Sequence, residues 1–193
     1  MYIQDLQEFI ILAESENYFE AAEKLFISTS VLSKHIKRLE GELGHTLCPE
    51  AAGILCSCGR QGHLESVASG SGIEACYQRE GGEPLSGAEI AKRANEGEPL
   101  AKKIIEQAGF SLGAAIGSWA NMFDPEKVII AGSVTHAGPV WRDALSAGFY
   151  SQLPGAQEDL PIVDAELGHL APIVGAAEFA LDMLVTREAE YLW

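Results

Sequence analysis

Four metal-binding side chains lie within nineteen residues of one another, and this cluster constrains the fold of the chain more than any other sequence feature. Two imidazoles and two thiols form the kind of mixed set that Zn²⁺ takes in closed tetrahedral sites. The Cys-x-Cys pair requires a tight bend, and Gly53, Gly59 and Gly62 permit the backbone turns around it. The alternative is a glycine-rich loop of polar residues that holds no metal. The candidate ligands are His45, Cys56, Cys58 and His63.

The residues around this cluster resemble the signature of the ROK family, which holds sugar kinases and sugar-responsive repressors. Residues 41–46 read Gly-Glu-Leu-Gly-His-Thr, and residues 56–65 read Cys-Ser-Cys-Gly-Arg-Gln-Gly-His-Leu-Glu. The family pattern has a third cysteine where this chain has His63, which is also a competent zinc ligand. The resemblance runs from about Gly41 to Leu184 and implies one structural zinc. Cys48 is the expected substitute ligand, and Cys76 is expected to be an ordinary buried thiol.

The same resemblance implies a sugar site and a remnant of a nucleotide site. Family residues that match Glu42, His45 and Glu65 hydrogen-bond hexose hydroxyls, a task that suits carboxylates and an imidazole. Gly132 falls in a stretch that resembles the segment lining the adenine side of the family's nucleotide cleft. The family's phosphate loops and catalytic aspartate have no match in the chain. The resemblance therefore predicts binding of a hexose or N-acetylhexosamine without phosphoryl transfer.

The first 44 residues show a different pattern, that of three short helices. Apolar residues at helical spacing predict a helix over residues 3–15, and a second helix runs from Tyr18 to Leu25. Ser28 is typical of an N-cap for a third helix that extends towards Gly44. Lys34, Lys37 and Arg38 share one face of that helix. By charge pattern alone, a DNA-binding face and a solvated face over a three-helix core fit equally well.

The residues of this region resemble the LysR-type DNA-binding domain. The similar stretches are residues 9–14, 18–25, 28–36 and 39–44. In that family the third helix enters the major groove, so the resemblance implies contacts with double-stranded DNA. The family's wing and long dimerisation helix have no match after residue 44, and we place the join between the two families at Glu40 and Gly41. The predicted DNA-binding residues are Ser28, Thr29, Ser30, Ser33, Lys34, Lys37 and Arg38.

Composition limits the partners of the chain. It has 28 acidic and 13 basic residues and a formal net charge of -15, which argues against broad nonspecific affinity for nucleic acids or membranes. No apolar stretch reaches the length of a membrane span and no signal-like start is present. A cytoplasmic location and a homodimer are expected.

The region after the metal cluster alternates between helical and strand patterns. Helices are predicted over residues 64–79, with a break at Gly70 and Gly72, and over 86–95, 99–122, 139–148 and 172–184. Ser86 begins a capping box for the second of these helices, and Pro99 opens the third, whose predicted buried face includes Phe110. A buried strand is predicted over 127–131 and a second strand over 161–167. This order indicates an α/β fold with a parallel sheet. The resemblances predict an N-terminal helix-turn-helix of winged-helix type without its wing, over residues 1–44. They also predict an incomplete actin-like or ribonuclease-H-like ATPase domain, mostly helical with few parallel strands, over residues 45–193.

Two functions from different classes follow from these resemblances. The first is a DNA-binding transcriptional regulator with a remnant sugar-sensing, zinc-binding module. The second is a sugar kinase of the glucokinase-like type, or an inactive fragment of one. The first is favoured because the recognition-helix residues are present, whereas the phosphate-handling parts of the kinase have no match. A third alternative is a recombination product without a selected role, since strands of the family's second domain have no match.

Overall fold

The computed structural model describes residues 7–8, 11–12, 15, 18–155 and 159–165. Of residues 18 and 36–42 it describes only the backbone. The described residues form two compact units, one up to Leu43 and one from Gly44 onward. The helix predicted over residues 172–184 lies outside the described residues.

The first unit is built from two consecutive helices, α1 (Tyr18–Leu25) and α2 (Thr29–Gly44), and the described residues before Ser15 are also helical. Leu32 of α2 packs on Ala21 and Ala22 of α1, and all three are fully or almost fully buried. The Ser28 Oγ accepts a hydrogen bond from the Val31 amide at 3.3 Å, so it caps α2. The turn between the helices holds Phe26 in the left-handed region, at φ 56°. The helix-turn-helix prediction is confirmed in these residues.

The second unit is mostly helical. Its helices are α3 (Glu65–Ala68), α4 (Gly70–Arg79), α5 (Gly87–Asn95), α6 (Pro99–Phe123) and α7 (Pro139–Tyr150), with 3₁₀ turns at Pro49–Ala51 and Ser133–Ala137. These helices begin where the sequence placed their caps: the Ser86 Oγ accepts from the Glu89 amide at 3.3 Å, and Pro99 opens α6. The predicted break near residues 70–72 lies at Ser69, which caps α4 by accepting from the Gly72 amide.

The close packing of α6 on α7 differs from the sequence prediction. Gly109, Gly113 and Gly117 of α6 are buried, and a Cβ at Gly113 would lie 2.0 Å from the Leu145 carbonyl oxygen of α7. The two backbones therefore touch directly. The predicted buried face of α6 contained Phe110, but this ring is 40% exposed. The prediction was wrong at Phe110 but holds for Ile104 and Ile105, which are buried. Hydrophobicity did not identify the face of α6 that contacts α7, because that face consists of glycines.

A short parallel sheet follows α6. Strands β1 (Val128–Ile130) and β2 (Ile162–Asp164) pair with Val128 opposite Ile162, as the order of elements predicted. Val128 and Ile162 pack against the helices, whereas Ile129 is 58% exposed. The prediction of a buried strand is therefore correct for only one face of β1 in the described residues. None of the described helices combines the length and apolar composition that a membrane span requires.

Candidate functional site

The candidate metal ligands lie on a loop between α2 and α3 that is ordered by its own backbone hydrogen bonds. The Cys56 amide donates to the Arg60 carbonyl at 2.7 Å, and the Gly59 amide donates to the Cys56 carbonyl at 2.9 Å. These two bonds form the tight bend that the Cys-x-Cys pair requires. The three glycines predicted to permit the turns all have positive φ values, of 76°, 86° and 85° for Gly53, Gly59 and Gly62. The loop is closed at its base, where the Leu64 amide donates to Thr46.

The folded loop brings the four predicted ligands together. One ligand atom from each of His45, Cys56, Cys58 and His63 lies within 4.8 Å of all the others. The Cys58 Sγ lies 3.2 Å from the His63 Nδ1, and the two imidazole rings have centroids 4.9 Å apart. Two imidazole nitrogens and two thiol sulfurs at this separation make a set that could hold a divalent metal ion.

Glu65, at the start of α3, contacts the ligand loop through both carboxylate oxygens. Its Oε1 accepts from the Ser57 Oγ at 3.1 Å. Its Oε2 lies 3.4 Å from the Cys56 Sγ and 3.5 Å from the His45 Nε2. When a carboxylate hydrogen-bonds one ring nitrogen of a histidine, the other nitrogen is left to bind a metal. This is the usual arrangement around metal-binding histidines. The family resemblance assigned Glu65 only to the sugar site. No feature of the sequence indicated a role for Ser57.

Burial divides the four thiols into different chemical environments. Cys56 is buried, and this burial raises the pKa of its thiol, whereas Cys58 is exposed. A metal ion that binds Cys56 therefore has to displace a proton from it. Cys48 donates its thiol to the Glu50 Oε2 at 3.0 Å, outside the ligand cluster. Cys76 is 3% exposed, and burial raises its pKa, which fits the prediction of an ordinary buried thiol.

The predicted DNA-binding residues occupy the first turns of α2. Ser30 and Lys34 are exposed, and Thr29 and Ser33 are half-buried. Lys34 has no ion pair within the part of the chain that the structure describes. The Ser28 hydroxyl lies 2.9 Å from the Ser30 hydroxyl, in addition to capping the helix. The side chains of Lys37 and Arg38 lie outside the described residues.

A polar pair that sequence analysis missed links α2 to the helical residues before α1. The His35 Nδ1 lies 2.6 Å from the Glu8 Oε2, and Glu8 is only 2% exposed. A buried carboxylate requires such a partner. Glu8 and His35 are 27 residues apart, so no local pattern could indicate the contact.

The predicted sugar and nucleotide residues are only partly described. His45 and Glu65 lie side by side, and the side chain of Glu42 lies outside the described residues. Gly132 follows β1 with φ 108°, and the position of a Cβ on it is open space. A positive φ of this size requires glycine at the end of the strand.

Comparison with known proteins identifies both parts of the chain. The ROK family model matches residues 36–183. The chain belongs to the ROK family. Residues 3–52 match the bacterial regulatory helix-turn-helix protein of the lysR family. The two matched ranges overlap at the end of α2 and in the loop that follows, so the predicted union of the two families is confirmed.

Individual relatives include both regulators and kinases. The DNA-binding transcriptional dual regulator NagC of Escherichia coli K12 is 36% identical over 145 residues, which are 69% of this chain and 35% of the regulator. An N-acetylmannosamine kinase of Haemophilus influenzae Rd is 28% identical over 167 residues, which are 83% of this chain and 52% of the kinase. This ROK chain therefore spans about a third to a half of the relatives it matches.

Solved structures agree with the predicted fold. A ROK hexokinase from Thermus thermophilus superposes with a TM-score of 0.60 at 31% identity, over 71% of this chain and 46% of the hexokinase. A ROK transcriptional regulator, a homologue of the E. coli MLC protein, superposes with a TM-score of 0.55 at 32% identity, over 63% of this chain and 33% of the regulator. The second unit thus has part of the actin-like ATPase fold of ROK sugar kinases.

Proposed function

We propose that the chain is a DNA-binding transcriptional regulator whose second unit is a zinc-containing module that senses a hexose or N-acetylhexosamine. The observation that carries this proposal is the union of a LysR-type helix-turn-helix with a ROK region inside one helix. ROK relatives include a transcriptional regulator that shares 36% identity with this chain. His45 directly follows Gly44, the last residue of α2. The proposed sugar contacts of Glu42, His45 and Glu65 rest on the family resemblance.

The cationic and hydroxyl residues of α2 support a role in DNA binding. Lys34 is a point charge suited to phosphate, and Arg38 is suited to phosphate or to the O6 and N7 of guanine. The Thr29 and Ser33 hydroxyls can reach base edges in the major groove. Because the protein is strongly acidic elsewhere, affinity depends on these few cations and on pairing of two chains in a homodimer.

In this proposal the metal has a structural role. His45, Cys56, Cys58 and His63 fit Zn²⁺ in number and in ligand type, and all four positions are taken by protein atoms, so none is left for a reacting water. Zinc would fix the bend of the ligand loop, and Glu65 would orient His45 and Cys56. Zinc bound in this way contributes directly to the folding free energy of the loop.

The DNA-binding proposal is tested by replacing the cations of α2. Duplexes are first selected from a random pool with the wild-type protein, and binding is then measured by fluorescence anisotropy at several salt concentrations. We expect Lys34→Ala with Arg38→Ala to abolish specific binding. Any residual binding should have a salt slope lower by about two, since each lost phosphate contact removes about one unit.

A charge-matched control uses Lys92→Ala with Lys127→Ala, which removes two exposed cations of the second unit. This control should bind the selected duplex as the wild type does. Equal binding by the α2 variant and the control would show that α2 is not the DNA-binding element. A protein that selects no duplex at all would contradict the regulator function itself.

A further inference from the structure

A groove of about 580 Å³ runs along the contact between α6 and α7, on the side of the second unit that carries Phe110. Val140, Ala144 and Ala147 contribute the α7 side of the groove and share one face of that helix, because they are spaced by four and three residues. Small side chains at these positions let another backbone approach closely. The exposed ring of Phe110 forms the opposite side. The result is an apolar floor open to solvent.

The rim of this groove is acidic. Glu50, Glu106 and Asp143 line it together with a single cation, Lys102. The Lys102 Nζ lies 3.7 Å from the Glu106 Oε1, so its charge is already partly balanced. Asp143 has no ion pair within the described residues. The groove therefore presents uncompensated negative charge beside an apolar surface.

The groove has fixed walls. A Cβ at Gly109 would lie 2.5 Å from the Trp141 carbonyl oxygen, and one at Gly148 would lie 2.2 Å from the Phe110 carbonyl oxygen. Backbones in such direct contact cannot slide without losing that packing. The Gln107 Nε2 also donates to the Glu50 carbonyl at 3.4 Å, which ties the 3₁₀ turn to α6. A ligand thus meets a surface that needs little rearrangement.

The two helices run side by side in the same direction, because successive α6 glycines meet successively later residues of α7. The lining residues of α6 extend from Lys102 to Phe110, a length of about 12 Å at the helical rise per residue. About two turns of a third helix fit along this length. Helices that dock in grooves of this kind use apolar anchors spaced by three and four residues.

We propose that this groove binds a basic amphipathic helix of a partner protein. Apolar side chains of the partner helix pack on Phe110, Ala144 and Ala147, and its lysines or arginines face Glu50, Glu106 and Asp143. Charge complementarity of this kind selects the partner and speeds association. A second copy that docked through the same groove would bring two acidic rims together, so it is disfavoured as the occupant.

The test uses a fluorescein-labelled helical peptide of about 16 residues, long enough to form a helix on binding. It carries leucine at positions i, i+3, i+4 and i+7 and lysine elsewhere, and a second peptide has glutamate in place of every lysine. Anisotropy is measured with the full chain. We expect micromolar binding of the lysine peptide and at least about tenfold weaker binding of the glutamate peptide.

Two groove variants are compared with two matched controls. Ala147→Trp fills the groove, whereas Ala88→Trp adds the same side chain at an exposed position of α5. Asp143→Lys reverses a charge on the rim, whereas Glu126→Lys makes the same change in net charge elsewhere. Each groove variant should weaken binding at least about tenfold, and each control should change it less than about twofold. Thermal melting shows whether Ala147→Trp is folded. If it is unfolded, peptide binding by Asp143→Lys tests the groove instead.

Three outcomes would overturn the proposal. Wild-type protein that binds neither peptide has no such docking groove. Equal loss of binding in Asp143→Lys and Glu126→Lys would mean that the peptide responds only to net charge. The third outcome is a change of oligomeric state in Ala147→Trp, measured by sedimentation velocity. It would assign the groove to a second copy of this chain.

Discussion

At the scale of single residues, the substitution of histidine for the family's third cysteine is the most distinctive feature of the chain. His63 is 7% exposed and lies beside Cys58 in the ligand cluster. In the proposed zinc site this exchange replaces a thiolate by a neutral imidazole, so two thiolates balance the charge of Zn²⁺. The Glu65 carboxylate then lies beside a site without net negative charge.

The role of His63 is tested by zinc content. We expect His63→Cys to retain one zinc per chain, because it restores the family's ligand set. His63→Ala removes a direct ligand. It should weaken zinc binding by at least ~10–100-fold, which is the cost of removing a residue that only hydrogen-bonds a ligand. Mass spectrometry of metal content gives the number of zinc ions per chain. Competition with a chromophoric chelator gives the affinity for zinc.

Cys48→Ala is the matched control for the metal site. Its thiol bonds Glu50, so its removal should leave zinc binding unchanged. If Cys48→Ala loses zinc while His63→Ala keeps it, the fourth ligand is Cys48, and the assignment of His63 is wrong.

At the scale of secondary-structure elements, the contact between α6 and α7 holds the second unit together. Three buried glycines at intervals of four residues form one stripe of α6, and the α7 backbone fills it. Val128 of β1 and Ile162 of β2 pack against the cluster that contains Ala120 of α6 and Phe149 of α7, so the two helices also support the sheet. The same contact shapes the acidic groove.

Gly113→Ala tests this contact. A new Cβ would lie 2.0 Å from the Leu145 carbonyl oxygen and 2.8 Å from the Phe149 nitrogen, so the helices have to separate. We expect a loss of about 1–3 kcal/mol, or more, in the free energy of unfolding. Urea denaturation followed by circular dichroism measures it.

Gly70→Ala is the control in the same unit, since no atom lies within 4 Å of the new Cβ and φ at Gly70 is not positive. It should be neutral or stabilising by at most about 1 kcal/mol. Similar losses in the two variants would show that the α6–α7 contact is not close-packed.

At the scale of the whole molecule, the chain joins a LysR-type helix-turn-helix unit to part of a sugar-kinase fold. It spans about half the length of the ROK kinase structure that it resembles. The family resemblance predicts sugar-binding residues in this chain and no residues that handle phosphate. We therefore expect the second unit to bind sugar without transferring phosphate.

This expectation is tested with glucose, N-acetylglucosamine and N-acetylmannosamine, each supplied with ATP and magnesium in a coupled assay. We expect no turnover above background, since loss of a catalytic base alone costs ~10²–10⁴-fold. Calorimetric titration without ATP should detect sugar binding that is lost in Glu65→Ala. Turnover that disappears in Glu65→Ala would instead identify the chain as a kinase.

The sequence by itself determined the features that depend on local chemistry. Ser28 and Ser86 cap helices through their own hydroxyls, and Pro99 opens α6, because capping needs only neighbouring residues. The ligand spacing from His45 to His63 and the glycines between them likewise indicated a closed loop. The domain boundary at residues 44 and 45 and the ligand assignments remain predictions.

Only the tertiary structure decided which surfaces meet. It exposed Phe110 and buried three glycines of α6, paired Glu8 with His35, and turned both oxygens of Glu65 towards the ligand loop. These contacts join residues that are distant in the sequence or depend on the absence of a side chain. Hydrophobic periodicity reports how strongly a residue avoids water, but it does not report how closely two backbones can approach.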